Sequence, residues 1–532
     1  MSLIIPNFKD SHGQALVDLP EVVLAKMLQQ AEEPVELAFL QQSYTLNRDL
    51  QTIGLQDVPY WNAFDDLQQV QERAGLPLTI YDFPLADGLE PLFNNSGNQV
   101  LMYKADELKL EVTVHNQIEV EQVIHFLADG SQQIDNYDDR GFLSTTLWLN
   151  SEKQIQKMQW FTPFHEVVAE MDAKLKITIS SQFRNQFWES NYPNLNELVA
   201  EMYQRHFELP KVVIAAFRSG ADQQNRFYLE LPAIRKIALL DQDVSLAKVQ
   251  NAVTTDQEVK WVFPSRILKK QFLDQENQQQ PKLDTIAIEP YPTAFTLGMS
   301  NEFEAQMIYW QFQQQTNETI ASSLQPIFPL IFQNEKLVLL LDGTWEQRAL
   351  FTELAKQWVQ TITNVDTNSN DYQRYIEVGK PEEFSTEAEW LDYLDEQIDA
   401  EEVDFNQDQM HQFYQVGNFL ARIQVVDDKT DLNDVFAKAR LFIDQGPQAD
   451  LRKQILAIST GVPIISFAPT DLVIEEGNGF QNTVVENLPA QISYFLDNLH
   501  HWNQSLVDSV GLMEEYEADQ LLQRWKGVMT DG

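Results

Sequence analysis

The sequence predicts an α/β chain of two Rossmann-like domains, with an antiparallel β-sheet domain inserted into the first. Three observations carry that expectation. Short apolar strands alternate with amphipathic helices in two separate series. Between about residues 75 and 182 the patterning changes to a period of two. A polar, low-complexity stretch, "QENQQQPK" (275–282), separates the two series and reads as a linker. The predicted boundaries are therefore 1–74 and 183–274 for the two parts of the first Rossmann-like domain and 75–182 for the inserted sheet. The second Rossmann-like domain is expected at 283–503, and a C-terminal helix packing across the domains at 504–532.

Taken in order, the chain opens with a strand at 3–6, a helix from about 19 to 31 and the strand "VELAFL" (35–40), the start of a βαβ unit. In the insertion, "LKLEVTVH" places Leu108, Leu110, Val112 and Val114 on one face. "VIHFLADGSQQI" sets an Ala-Asp-Gly turn between two strand-like runs, a hairpin signal. "GFLSTTLWLN", "KMQWF" and "LKITI" continue the sheet. Helix–strand alternation then resumes with amphipathic "NLNELVAEMYQRHF" and the fully apolar "KVVIAAF" (211–217), a strand of the parallel-sheet kind, followed by "RKIALL" and "VKWVF". The second series is expected to place strands at "KLVLLL", "RYIEV", "QFYQVG", "RLFID" and "VPIISF". An acidic helix, "TEAEWLDYLDEQIDAEE", lies among them with a capping box from Thr386 to Glu389. The last helix carries Leu512, Met513, Leu521, Leu522 and Trp525, an apolar face that needs a surface.

Composition narrows the function. The 532 residues carry 80 acids against 37 Lys and Arg, a formal charge of −43, which repels phosphate backbones and anionic headgroups. Nucleic acid is therefore not an expected partner. Cysteine is absent, which excludes disulfides, thiolate metal sites and a thiol nucleophile. The opening "MSLIIPNFKDSHGQ" does not read as a signal peptide, and the longest apolar clusters are too short to cross a bilayer, so a cytoplasmic protein is expected.

The stretch "IDQGPQADLRKQILAISTGVPIIS" (443–466) runs strand, loop, helix, Gly-x-Pro turn, strand. Two α/β halves ending this way resemble the GT-B architecture of glycosyltransferases. Retaining enzymes of that kind carry one Glu that supports the donor sugar and a second, eight residues on, that commonly holds the ribose. Anchored on Gly461 and Pro463, those positions fall at Gln448 and Leu456, with Asp444 or Asp450 as the acids that could substitute. Leucine offers a ribose diol no acceptor. Gly477, Asn478 and Gly479 resemble the loop after that strand, and most simply supply backbone torsions closed to other residues. As a dinucleotide fingerprint they fail, because position 482 is Asn.

Other sites weigh less. No Walker A and no Gly-x-Ser-x-Gly elbow occurs. His165 lacks the second His of a zincin, and His500 and His501 are expected on different helix faces. "DQD" (241–243) follows a strand and is read as a helix cap rather than a metal motif. No catalytic, cofactor-binding or metal-binding residue is assigned, and no cofactor is expected.

Three stretches go further: "VPYWNAFDDLQ" (58–68), "DDRGFLS" (138–144) and "ADLRKQILAISTGVPIIS" (449–466). Together they resemble the first protein of the accessory Sec export trio of Gram-positive bacteria, a family that is glycosyltransferase-like in fold but assigned to transport. The chain departs from the family at its opening, "IIPNFKD", where an aromatic-rich strand end is usual. Read locally, Tyr60, Trp61 and Phe64 are core anchors, and Asp138, Asp139, Arg140 and Gly141 form a hairpin turn with an internal ion pair. The resemblance implies a non-catalytic transport component working in the cytoplasm, peripheral at the membrane through its partners. Those partners would be two companion accessory Sec proteins and the accessory Sec motor ATPase, and the cargo a glycosylated serine-rich-repeat adhesin. An active glycosyltransferase, or a non-catalytic subunit of one, modifying the same adhesins is the alternative; a stand-alone carbohydrate-binding protein is a third.

Overall fold

The computed structural model describes residues 2–9, 15–72, 74–82, 88–94, 97–242, 244, 249, 259–275, 283–296, 298–378, 407–427 and 430–530. The linker stretch, all but its first residue, and the acidic helix expected at 386–402 lie outside them. The chain divides into two units, Met1–Pro290 with Trp525–Gly532, and Tyr291–Arg524.

The first unit holds two sheets. One is parallel, with strands in the order Asp284–Ala287, Val259–Phe263, Arg235–Leu240, Val212–Phe217, Ser2–Ile5, Val35–Phe39 and Tyr60–Asn62. Numbered along the chain without the insertion, its first six strands run 3-2-1-4-5-6, the doubly wound order, with the reversal point between Ser2–Ile5 and Val212–Phe217. Val212–Phe217 is buried at every position, as the unbroken apolar run requires of a central parallel strand.

The second sheet is a ten-stranded antiparallel meander from Glu90–Phe93 to Asn191–Tyr192, each strand pairing with the next. Its Glu119–Phe126 and Gln132–Tyr137 strands are joined through Gly130, as the Ala-Asp-Gly signal predicts. Its last pairing, Ile177 with Tyr192, carries the ladder beyond the expected end at 182. The meander is not self-contained. Trp160, Val168, Met171 and Ile177 share one core with Leu3, Ile5, Trp61 and Phe64, while Val100, Met102, Val112 and Val123 close a second core with Ile80.

The second unit is a single parallel sheet in the order Ile423–Val425, Leu337–Asp342, Gln306–Phe312, Ala439–Gln445, Ile464–Ser466 and Gly479–Phe480, again 3-2-1-4-5-6. Two expected strands are helices instead. "RYIEV" lies in Asn370–Val378 and "QFYQVG" in Gln407–Ala421. Tyr372 and Tyr375, and Met410, Phe413 and Tyr414, recur at helical spacing and are buried in one core, which overrides the β-propensity of the aromatic residues. The central strand Gln306–Phe312 is not among those expected, although "MIYWQF" is continuously apolar but for one Gln.

The expected terminal helix is two helices, Leu499–Glu515 and Ala518–Thr530. Thr293 explains the break. Its hydroxyl donates to the Met513 carbonyl at 2.7 Å and its N–H to the Tyr516 carbonyl at 3.0 Å, taking acceptors that a continuing helix would use. The end of the second helix belongs to the first unit. There Trp525 and Val528 are buried and Lys526 pairs with Glu33 at 2.6 Å.

Candidate functional site

In open α/β sheets, ligands bind outside the carboxyl ends of the strands where the strand order reverses. In the second unit that place lies between Gln306–Phe312 and Ala439–Gln445. The 443–466 stretch folds there as read. The strand ends at Gln445, Asp450 caps the helix Leu451–Thr460 by accepting from the Lys453 N–H at 3.0 Å, and Gly461 ends it in the left-handed region (φ 73°).

The crest of this sheet is filled by the chain's own polar groups. Asp444, fully buried, accepts from Gln311 Nε2 at 2.6 Å, the Asp450 N–H at 2.8 Å and Gln454 Nε2 at 2.8 Å. Gln311 Oε1 in turn accepts from Lys453 Nζ at 2.5 Å, and Lys453 donates to Asp342 Oδ2 at 2.7 Å. Tyr309 closes the chain, its hydroxyl donating to Asp342 at 2.6 Å. Burial, with the neighbouring Asp450 adding, pushes the Asp444 carboxyl up to about 6. Burial alone would lower the Lys453 pKa, but Tyr309, Asp450 and Asp342 together raise it above the ordinary lysine value. Three strands and one helix are thus tied by a hydrogen-bonded network with an ion pair at the reversal point of the sheet.

The positions aligned with the donor-binding acids stand apart from this network. Gln448 is exposed in the loop before the helix, and Leu456 is half-buried within the helix. Neither Gly477 nor Gly479 has a positive φ, which corrects the torsion reading. Gly479 is required by proximity instead: a Cβ there would lie 2.0 Å from the Ile464 carbonyl oxygen. Asn478 braces the loop, its side chain accepting from the Ile474 N–H at 2.7 Å and donating to the Leu472 carbonyl at 3.0 Å.

The reversal point of the first unit is likewise occupied. Arg218, directly after Val212–Phe217, donates from Nη2 to both carboxylate oxygens of Glu21 in the first turn of Pro20–Gln30, at 2.8 and 2.7 Å, and both residues are buried. Glu21 also accepts from the Asn7 N–H, and Asp241 of the "DQD" stretch lies 3.4 Å from Arg218. Asp243 is outside the described residues.

The first two motif stretches meet. Arg140 clamps its own turn through Asp138 (Nε to Oδ1, 2.6 Å) and reaches Asp65 bidentately at 3.0 and 2.7 Å. Gln68 donates to the Ser144 carbonyl at 2.8 Å, and Asp139 accepts from the Arg48 N–H at 2.6 Å. Gly141 (φ 91°) lets the turn pass so close that a Cβ would sit 2.2 Å from the Leu76 carbonyl oxygen. The ion pair to Asp138 is the one the sequence predicts; the reach to Asp65 is not visible there, because 75 residues separate the partners. Trp61 and Phe64 are core residues, with Tyr60 half-buried beside them. Beside the turn lies a cleft of about 370 Å³ lined by Gln69, Gln71, Arg140, Phe142, Phe164 and Glu166.

Histidines are engaged locally. His165 stacks on Phe161, and His501 stacks on Tyr494 at 3.7 Å while bonding its carbonyl. Among the described residues no group of three or more acids and histidines is placed to hold a metal ion.

Two doubly wound parallel sheets with an antiparallel meander define a GT-B-like glycosyltransferase fold, and solved structures agree. The chain superposes on the glycosylation-associated protein (Gap123) complex of Streptococcus agalactiae with a TM-score of 0.72 at 18% identity, covering 98% of this chain and 99% of that one. For accessory secretory protein 1, 2 and 3 of Streptococcus pneumoniae the TM-score is 0.69 at 17% identity, over 99% and 98%. The pneumococcal O-GlcNAc transferase GtfA, solved with UDP and GlcNAc, gives 0.65 at 11% identity, over 99% and 98%. Residues 20–531 match the family model of the first of the Asp proteins of the accessory Sec system, and the chain belongs to that family. A curated member from Streptococcus gordonii is 21% identical over 98% of this chain and 92% of its own, and one from Staphylococcus aureus 20% identical over 92% and 88%. The protein is an accessory Sec system component with a glycosyltransferase-like fold.

Proposed function

We propose that this component is non-catalytic and uses its degenerate glycosyltransferase fold to bind, helping to deliver glycosylated serine-rich-repeat adhesins to the accessory Sec translocon. The observation that carries the reading is the Asp444–Gln311–Lys453–Asp342 network, which occupies the crest of the second sheet with internal partners. A nucleotide there would have to displace charge-assisted bonds that are already satisfied. The aligned donor positions support it, because Gln448 lacks the charge and Leu456 lacks any acceptor. The likeness to complexes of three companion proteins favours two such companions for this chain; in this reading they work in the cytoplasm with the accessory Sec motor ATPase. Among the described residues no helix is long and apolar enough to cross a membrane; in this reading membrane contact runs through those partners.

The test is turnover. Purified protein incubated with a panel of nucleotide sugars, with and without adhesin peptide, is expected to release no nucleotide. Release that depends on the protein and vanishes in Gln448→Ala would overturn the reading and establish a transferase.

A further inference from the structure

Buried arginines in this chain have visible reasons. Arg218 is paired with Glu21, Arg140 with Asp65 and Asp138, and Arg422 donates to the carbonyls of Ile331 and Asn334. Arg440 breaks the pattern. It lies in Ala439–Gln445 at the end of the strand opposite the Asp444 network, and is 8% exposed. Met307 pairs with Ala439 and Ile308 with Leu441, so Arg440 is the extra residue of a β-bulge. Bulges re-aim a side chain, and they are frequent beside functional sites. The re-aimed guanidinium lies 3.8 Å from the centre of the Trp502 ring. Its Nη1 donates to Asn301 Oδ1. Its Nε is buried with no acceptor, and the Trp502 indole N–H, in a residue 6% exposed, is also buried with none.

No carboxylate among the described residues pairs with Arg440, and burial alone acts on its pKa, downward. Among the described residues, a chain with 80 acids sets no carboxylate against this buried cation. Such a charge is costly unless something supplies the missing acceptors. Guanidinium and indole nitrogens only donate, so the missing group is an acceptor, and a water molecule would satisfy the bond but not the charge.

We propose that Arg440 anchors an oxyanion site. Nη1 is held by Asn301, which leaves the Nε–Nη2 edge as a two-pronged donor for a carboxylate or phosphate, with the Trp502 indole as a platform and further donor. The site stands on the other end of the strand from the network and is independent of whether the protein turns over a nucleotide sugar.

The full chain labelled with 15N-arginine tests this through the Nε–H resonance of Arg440. The resonance is assigned by its loss in Arg440→Lys, or by its shift in Trp502→Phe should that variant not fold. Millimolar sodium phosphate, sodium acetate and sodium chloride are compared at equal ionic strength. A saturable shift with phosphate or acetate, and none with chloride, is expected. Phosphate alone identifies a phosphate source, acetate alone a carboxylate, and a shift with both the shared oxyanion chemistry. No shift with either, or an equal shift with chloride, overturns the proposal. Arg440→Lys keeps the charge but loses the fork, and should weaken oxyanion affinity about tenfold, read in parent and variant alike from the Trp502 indole N–H resonance of 15N-tryptophan-labelled chain. Unchanged affinity in that variant overturns it as well.

Discussion

Asp139 carries the clearest titration in the first unit. Burial, with Asp138 adding, lifts its carboxyl from the ordinary 3.8 to about 7, against the opposing pull of the Arg48 N–H and Arg140. The folded chain therefore holds this proton more tightly than the unfolded one. The stability it contributes is complete below about pH 4 and is lost as pH rises through about 7. Asp444, lifted to about 6, acts in the same direction over a lower window. Asp139→Asn should mimic the protonated form, leaving stability at pH 8 equal or higher and shrinking its fall between pH 5 and 8. Urea midpoints at the two pH values check this; a fall as large as in the parent chain would refute it. Lys453→Met, by contrast, leaves Asp342 with the Tyr309 hydroxyl but without its counter-charge at a mostly buried site, and should cost about 3 kcal/mol by urea unfolding. The sequence makes Gln448 and Leu456 legible as departures, because a strand–helix–Gly-x-Pro frame fixes their positions. It does not make Lys453 legible, because its partner Asp342 lies 111 residues away and only the fold brings them together.

At the scale of elements, strands bounded by turns are readable and aromatic helices are not. "RYIEV" and "QFYQVG" satisfy strand propensity and helical spacing at once, and only the core that receives Tyr375 and Phe413 decides between them. The break between the last two helices has no glycine or proline to announce it; it depends on Thr293, which lies 220 residues before Met513. Thr293→Val should strand the Met513 carbonyl and cost about 1 kcal/mol in urea unfolding. If the variant matches the parent chain, Thr293 does not hold the break.

Over the whole molecule, the −43 charge stands beside an internal ion pair at the reversal point of each parallel sheet, Arg218–Glu21 in the first and Lys453–Asp342 in the second. The α/β series and the insertion are visible from periodicity alone. The sharing of one core between meander and parallel sheet is not, because a strand's pattern shows that a face is buried but not against what. Removing residues 525–532 takes Trp525, Val528 and the Lys526–Glu33 pair from the first unit, and should lower its thermal transition while leaving that of the second unit in place. Calorimetry of the truncated chain checks this; two unchanged transitions would show that the end of the helix contributes nothing.

The strand Ser2–Ile5 pairs with Val212–Phe217, and the Ser2 hydroxyl lies 3.2 Å from the sulfur of Met529. On a ribosome this ordering has a temporal meaning. The meander closes hairpin by hairpin as it emerges, through contacts near in sequence, whereas the sheet that brackets it waits for its fourth strand. The first unit then lacks the packing of Trp525 and Val528 until the final helix is released. The half of the protein that is translated first therefore completes its packing with some of the last residues of the sequence. Pulsed hydrogen exchange during refolding should accordingly protect amides of Glu119–Phe126 and Gln132–Tyr137 before those of Ser2–Ile5.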